Sequence, residues 1–259
     1  MINLYNEDCL KLLQSMKNEF IDLTFTSPPY YNAKEYSFWK SYEEYLIFLE
    51  KVFTEVFRVT CTGRMCIINI SPVIEPRKSR SHESIRYPIP FNLFAIMSKI
   101  GWKYLDDIIW VKPSGAAKNR NGGFFQHRKP VAYKPNVVTE MILVFQKPAP
   151  FLIDKILKNC PKEIINKSLV GDGYEKTNVW SLNPEKKSNH PAPFPVALSD
   201  KIIQYYSFVG DNVLDPFVGS GTTMISCKNY NRHGFGIDIH KKYIDLAFER
   251  LEKAKGGRK

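Results

Sequence analysis

The chain has 259 residues, 44% of them hydrophobic and 24% charged, a composition that excludes a collagen-like, low-complexity or largely disordered protein. The sequence contains no apolar run near the ~18 residues of a membrane span, and it does not begin with the basic and apolar segments of a signal peptide. Lysine and arginine total 37 against 26 aspartate and glutamate, and the net charge of +11 suits a nucleic acid partner, although a basic surface that serves only solubility has the same count.

Strands and helices are predicted to alternate along the chain. Apolar runs predict six buried strands, over residues 21–26, 65–70, 107–111, 140–146, 212–215 and 234–238. A capping box at Ser41 and Glu44 predicts the start of one helix, and helical spacing predicts three more over residues 91–100, 196–206 and 241–255. This alternation predicts an α/β protein with a mostly parallel sheet.

Three stretches lack a regular period. Residues 71–90 and 113–135 combine prolines or glycines with many basic side chains, and residues 147–189 are polar and irregular. Long irregular loops in compact domains often carry function. Within the first two stretches we expect nucleic acid contacts from Arg77, Lys78, Arg80, Lys118, Arg120, Arg128 and Lys129.

The cysteines predict a reduced, cytoplasmic protein. They are odd in number and form no Cys-x-x-Cys pair, at Cys9, Cys61, Cys66, Cys160 and Cys227. A structural zinc site needs paired ligand spacing, so no metal is expected.

A glycine loop follows the fifth predicted strand, which ends in Asp215. Gly219, Ser220 and Gly221 lie just before a helical pattern, so their backbone amides can face a carboxylate or a phosphate. The sixth predicted strand ends in Asp238, about 20 residues after the glycines, where an acidic residue typically holds ribose hydroxyls. The third glycine of the dinucleotide fingerprint and the Gly-Lys pair of a P-loop are both missing. The pattern indicates a nucleoside-binding loop, with a purely structural turn as the alternative.

A second loop, Ser27-Pro28-Pro29-Tyr30, follows the first predicted strand directly. Proline fixes the backbone and donates no hydrogen bond, so the carbonyls of Ser27 and Pro28 can accept from a ligand. Tyr30 adds a flat aromatic face. Such a loop suits a planar group that carries an amine, although a rigid turn is the alternative. Because loops at the carboxyl ends of strands share one edge of an open α/β sheet, the two loops are expected to meet.

Together the two loops resemble those of the amino-group DNA methyltransferases. Their order, with the catalytic loop before the cofactor loop, resembles the β group of that family. The resemblance implies a Rossmann-like S-adenosylmethionine-dependent fold with a mostly parallel, doubly wound sheet and inserted target-recognition loops. It implies one catalytic domain over residues 1–259, whose parts are a catalytic half of about 1–146, recognition insertions of about 113–135 and 147–189, and a cofactor half of about 190–259.

The resemblance also implies roles for individual residues. Asp8 is expected near the adenine of the cofactor, Asp238 at its ribose and the glycine loop along its methionine part. The implied catalytic residues are Ser27, Pro28, Pro29 and Tyr30, with Tyr31 as the alternative for stacking on the target base. The implied cofactor residues are Asp8, Cys9, Phe194, Asp215, Phe217, Gly219, Ser220, Gly221, Thr222 and Asp238.

The first residue of the catalytic loop bears on the target base. In the family, serine at this position accompanies mostly cytosine N4 methylation and aspartate mostly adenine N6 methylation, so Ser27 favours cytosine and leaves adenine open. The implied partners are double-stranded DNA and a cognate restriction endonuclease, with the chain a monomer or a homodimer. RNA or protein methylation, and nucleic acid binding without catalysis, are the remaining alternatives.

Overall fold

The computed structural model describes residues 1–32, 39–77, 79, 81–113, 130–131, 137–185 and 194–254. Its strands are β1 (Ile2–Asn6), β2 (Ile21–Thr26), β3 (Thr60–Ile70), β4 (Val73–Glu75), β5 (Ile85–Tyr87), β6 (Lys103–Val111), β7 (Thr139–Gln146), β8 (Val179–Ser181), β9 (Asn212–Asp215) and β10 (His233–Asp238). Its helices are α1 (Cys9–Ser15), α2 (Tyr42–Val59), α3 (Ile89–Ile100), α4 (Asp154–Asn159), α5 (Lys162–Ser168), α6 (Val196–Tyr206), α7 (Thr222–Asn229) and α8 (Lys241–Lys253). No helix in the described part of the chain is long and apolar enough to cross a membrane.

Eight strands form one sheet in the order β1-β10-β9-β2-β3-β7-β6-β8, while β4 and β5 form a separate hairpin. Within the sheet only β7 runs antiparallel to its neighbours, which confirms the predicted α/β class and the mostly parallel sheet. All six predicted strands are present. The strands β1, β4, β5 and β8 were not predicted, because runs of three to five residues are too short to show a period.

The sheet is covered on both faces, as a doubly wound fold requires. Buried side chains of α1, α2 and α3 pack on one face, and those of α6, α7 and α8 pack on the other. Successive strand residues alternate between the two layers, so that Val213 belongs to one and Leu214 to the other. The helix ends follow local sequence signals: the Ser41 hydroxyl accepts from the Glu44 amide at 3.1 Å, and Gly101 ends α3 with a φ of +112°.

The stretch after β7 lies at the edge of the sheet away from the predicted loops. Gln146 pairs with Met65 near the start of β3, and Ser168 at the end of α5 accepts from the Val209 amide just before β9. Helices α4 and α5 therefore cover the amino ends of the parallel strands. The recognition role predicted for residues 147–189 stays a prediction, but the half of it that ends at α5 is remote from both loops.

One buried carboxylate joins the loop after β2 to the loop after β9. Asp215, only 1% exposed, accepts hydrogen bonds from the hydroxyls of Thr26 and Thr223, each at 2.6 Å, and from the Phe217 amide at 3.1 Å. Thr26 directly precedes Ser27, and Thr223 lies in the first turn of α7. The carboxylate thus fixes the ends of two neighbouring strands, β2 and β9, relative to each other and to α7, the helix that follows β9.

The pKa of Asp215 is raised to about 6, chiefly because burial penalises the charged form, and the nearby Asp238 carboxylate adds to the effect. An acid with a raised pKa binds its proton more tightly in the folded state than in the unfolded state. Its contribution to folding stability is therefore present at low pH and is lost as the pH rises from about 4 to about 6.

We expect Asp215→Asn to become more stable relative to the wild type as the pH rises from 4 to 7. Asparagine keeps an acceptor for Thr26 and the Phe217 amide but carries no charge, so it avoids a charge-burial cost of up to about 3 kcal/mol. Urea unfolding across this pH range measures the difference. Asp245→Asn, at an exposed site on α8, serves as the matched control and should show no such trend. Parallel stability curves for Asp215→Asn and the wild type would contradict the raised pKa.

Candidate active site

A cavity of about 200 Å³ opens where β1, β2, β9 and β10 end. Both predicted loops contribute to its walls, together with side chains that the sequence did not single out. The lining residues are Asp8, Cys9, Ser27, Pro28, Pro29, Tyr30, Trp39, Phe48, Pro216, Phe217, Gly219, Asp238, Ile239, His240 and Tyr243. The expectation that the two loops meet at one edge of the sheet is confirmed.

The loop of residues 27–30, named the catalytic loop for its predicted role, lines the cavity. Ser27, Pro28, Pro29 and Tyr30 all line it, and the preceding Thr26 is fixed by Asp215. The Tyr30 phenol donates a hydrogen bond to Oε2 of Glu140 at 3.2 Å. Burial, reinforced by this carboxylate, raises the pKa of Tyr30 well above its ordinary value, so the phenol stays protonated. An aromatic face, a hydroxyl and proline-fixed carbonyls therefore meet in one small volume.

The two tyrosines of the loop have different surroundings. Tyr31 is 7% exposed and packs in the core against Tyr42, Tyr45 and Tyr87, with ring centroids 4.7–5.7 Å apart. Tyr30, by contrast, reaches the cavity. Of the two, Tyr30 is the one positioned to stack on a ligand.

Asp238 lines the same cavity as the catalytic loop. Its Oδ2 accepts from the Gly219 amide at 3.1 Å and its Oδ1 from the His240 amide at 2.8 Å. Gly219 has a φ of +48°, a backbone conformation that glycine adopts at little cost. Each carboxylate oxygen can accept a further hydrogen bond, so the pair suits vicinal hydroxyls. Burial raises the pKa of Asp238, which a ribose would partly offset by donating hydrogen bonds.

The next residues of the glycine loop are engaged by α8 instead. Arg250 donates to the carbonyl and the hydroxyl of Ser220, both at 2.7 Å, and to the Thr222 hydroxyl at 3.1 Å. Gly221 has a φ of +80°, and a Cβ there would lie 2.7 Å from the Cβ of Ala247. These contacts give the three residues a packing role. The cofactor contacts predicted for them stay predictions.

Two further residues predicted to bind cofactor are buried beside the cavity. Asp215 is occupied by its three donors, and Phe194 packs its ring 4.9 Å from that of Phe25 in β2. Neither side chain lines the cavity, so neither predicted contact is tested by this geometry.

Asp8 and Cys9 line the cavity at the start of α1. Oδ1 of Asp8 caps the helix by accepting from the Lys11 amide at 3.0 Å. Burial raises the pKa of Cys9 to about 12, so its thiol is neutral and acts as a small apolar group.

Apolar side chains that sequence reasoning missed form the remaining walls. The ring of Phe48 in α2 lies 6.0 Å from that of Phe217, and Trp39 lies 5.8 Å from Phe48. Ile239, directly after Asp238, is 62% exposed. Flat apolar walls with carboxylates at Asp8 and Asp238 fit an adenosyl group, whose base is planar and whose sugar carries hydroxyls.

The local sequence contains a signal for Ile239 but none for Phe48. Phe48 lies in α2, a helix that buries other aromatic side chains in the core, and nothing in the sequence pattern distinguishes the one at the cavity. For Ile239, the available signal was its position directly after Asp238, the acidic residue that ends a strand.

The predicted nucleic acid contacts lie mostly outside the described residues. Arg77 is exposed in the turn region of the β4–β5 hairpin. Lys78, Arg80, Lys118, Arg120, Arg128 and Lys129 lie outside the described residues. Across the described ranges, no three histidine, cysteine or acidic side chains are grouped as a metal would require.

Known proteins are similar to this chain in sequence and in fold. The family model for N6/N4 DNA methylases matches residues 21–249. The type II methyltransferase M.ScaI of Streptomyces caespitosus is 32% identical over 96% of this chain and 81% of its own length. M.BglII of Bacillus subtilis is 29% identical over 96% of this chain and 68% of its own length.

Among solved structures, the DNA modification methylase TTHA0409 of Thermus thermophilus in complex with S-adenosyl-L-methionine has a TM-score of 0.78. It is 26% identical, and the alignment covers all of this chain and 99% of that one. The PvuII cytosine-N4-specific DNA methyltransferase shares the fold, with a TM-score of 0.68 at 17% identity over 99% of this chain and 94% of that one. The chain therefore belongs to the N6/N4 family of DNA methylases and is an S-adenosylmethionine-dependent DNA methyltransferase.

Proposed function

We propose that the protein methylates the exocyclic N4 of a cytosine within a specific site of double-stranded DNA. One observation carries the proposal: Ser27, Pro28 and Tyr30 line the same cavity as Phe217 and Asp238. A loop suited to hold an amine and a wall suited to bind a nucleoside therefore line the same cavity. The choice of cytosine rests on serine at the first position of the catalytic loop.

The target base must leave the duplex to reach this cavity, because a stacked and paired base does not present its amine. Flipping costs a few kcal/mol. In the proposed complex the Tyr30 ring stacks on the flipped base, which returns about 1–3 kcal/mol. Its phenol is already held by Glu140, so the ring is oriented before the base arrives.

The exocyclic amine is a weak nucleophile because its lone pair is delocalised into the ring. In the proposed mechanism the Ser27 hydroxyl and the Pro28 carbonyl accept hydrogen bonds from the amine and favour a more tetrahedral nitrogen. S-adenosylmethionine supplies the electrophilic methyl group when it is bound. The bond from N4 to the methyl group forms as the sulfonium–methyl bond breaks, and the nitrogen releases one proton to solvent. Holding the amine in line for this displacement can provide much of the rate enhancement without a covalent enzyme intermediate.

We further propose that the enzyme serves a restriction–modification system with a cognate endonuclease. The names of M.ScaI and M.BglII, both type II methyltransferases, support this proposal. Base readout is assigned to residues 113–135 and to the part of 147–189 that follows α5, since β8 runs parallel to β6 toward the cavity edge.

The function is tested by incubating the protein with isotope-labelled S-adenosylmethionine and mixed-sequence duplex DNA. Mass spectrometry of the nucleoside digest should show labelled N4-methylcytosine. Labelled N6-methyladenine would overturn the base assignment and keep the enzyme class. Cofactor binding without label in DNA would support a non-catalytic protein or another substrate, and RNA and protein are then tested in the same way.

Ser27→Ala should lower turnover by roughly tenfold to a hundredfold, because the amine loses one of its two acceptors. Affinity for S-adenosylmethionine should change little. Single-turnover methylation and equilibrium dialysis measure the two quantities. Ser98→Ala, at an exposed position on α3, is the matched control and should leave both unchanged. Equal losses of turnover and cofactor affinity would assign the loop a structural role.

Asp238→Ala should weaken S-adenosylmethionine binding by roughly tenfold to a hundredfold, the usual effect of losing hydrogen bonds to a charged group. Asp238→Asn keeps one acceptor oxygen and should fall between this variant and the wild type. Calorimetric titration gives the affinities, and thermal unfolding shows whether each variant is folded. Wild-type affinity in folded Asp238→Ala would refute the ribose assignment.

A further inference from the structure

A carboxylate outside the cavity holds the aromatic ring of the catalytic loop. Glu140 lies near the start of β7, which begins where β3 and β6 end because it runs antiparallel to both. Its Oε2 accepts from the Tyr30 phenol at 3.2 Å and from Nδ2 of Asn69 at 2.7 Å. Its Oε1 accepts from the Lys112 ammonium. Three strand ends thus donate to one carboxylate.

These contacts leave Glu140 little freedom to move. Its side chain is only 14% exposed, and that of Lys112 is 22% exposed. The Lys112 ammonium also lies 4.6 Å from the centroid of the Trp110 ring, a cation–π contact that limits its own movement. Asn69, at the end of β3, is 2% exposed. A partly desolvated carboxylate with three fixed donors is held more firmly than an exposed ion pair.

Glu140 does not line the cavity, so its route to a bound base passes through Tyr30. A phenol has one proton to donate, and here it is directed at Oε2. Because the phenol oxygen is held by this hydrogen bond, the Tyr30 side chain is less free to swing away from its position. Tyr30 also packs against the core cluster that holds Tyr31, and its phenol has a side-chain contact with Ser27. Glu140 is the acceptor to which the phenol directs its proton, and it is therefore the group that sets the direction of the phenol.

We infer that Glu140, fixed by Lys112 and Asn69, is a positioning residue that orients Tyr30 for stacking on the target base. The inference rests on the proposed function, because it assigns Tyr30 a base to stack on. The inference assigns a role in methyl transfer to Glu140, a residue of β7 that does not line the cavity.

The key variant is Glu140→Gln. A glutamine offers one carbonyl and one amide group to three donors. Its carbonyl faces the charged Lys112, and its amide group then faces Asn69 and Tyr30, so the phenol loses its acceptor. We expect single-turnover methylation to fall by tenfold or more, since displacement of a positioned group by about 1 Å can cost 10²-fold. Affinity for S-adenosylmethionine should stay within about twofold of the wild-type value.

The double variant Glu140→Gln with Lys112→Met supplies the rescue. Without the ammonium, the glutamine carbonyl can turn to Asn69 and Tyr30 and restore the acceptor. The double variant should regain most of the turnover that the single variant loses, even though it carries one more substitution. A general effect on folding would instead leave the double variant no better than the single one, and that result would overturn the inference.

A second cycle tests whether Glu140 acts through the phenol. Tyr30→Phe keeps the ring and removes the hydroxyl, so adding Glu140→Gln to it should cause no further loss. An equal loss in both backgrounds would overturn the inference. The wild type, assayed in parallel on the same unmethylated DNA, separates the two levels: no label from the wild type refutes the proposed function, whereas an active wild type with fully active Glu140→Gln refutes only the role of Glu140.

Discussion

The buried carboxylate of Asp215 is the interaction on which the active site depends. It is the point where two adjacent parallel strands and one helix are tied together, through Thr26, Thr223 and the Phe217 amide. Every donor it uses is within a few residues of a cavity wall. A carboxylate can accept from all three at once, which an amide or hydroxyl side chain of similar size does less well. The cost is a charge in the protein interior, which burial alone makes unfavourable.

The rest of the site uses the same principle, in which functional groups are held from behind by groups that never reach the cavity. Arg250 holds the glycine loop through Ser220 and Thr222, and Ala247 allows α8 to approach Gly221 closely. Glu140 holds Tyr30 in the same manner. The cavity itself is lined by flat apolar walls, hydroxyl groups, proline-fixed carbonyls, the carboxylates of Asp8 and Asp238 and the imidazole of His240. Such a division suits a reaction that depends on placing two reactants and not on an acid or base of unusual strength.

Sequence reasoning found the parts of the fold that have strong local signals. The strands β2, β3, β7, β9 and β10 are apolar runs, and the acidic residue or proline pair that follows some of them marks where the run stops. The two loops were predictable as partners because parallel strands must end at the same edge. What could not be predicted depends on distant packing. Arg250 and Glu140 lie in a helix and a strand whose patterns look ordinary, and their importance comes from residues 30 and 110 positions away along the chain.

Residues 147–189 were predicted as one recognition insertion because they share a polar, irregular composition. Polar composition does not show to which edge of the sheet a segment returns. Because β7 runs antiparallel to β3, it carries the chain to the amino ends of the parallel strands, and α4 and α5 form there. Phe151 and Ile156 pack there beside Gly63, so this part of the stretch closes the base of the sheet. The glycine loop also carries a packing contact that its local pattern does not show, because Ala247 of α8 lies against Gly221.

The first strand of the chain has a consequence for synthesis. In the described part of the structure β1 pairs with β10 alone, and the Gly234 amide donates to the Met1 carbonyl. During translation, β1 must therefore wait until β10 has left the ribosome before it can join the sheet, whereas α1 has earlier partners in α2. Folding that proceeds from the N-terminus cannot finish this sheet edge before then. A nascent chain stalled before β10 would present an unpaired strand, so early release at that point would remove both the cofactor wall and the protection of that edge.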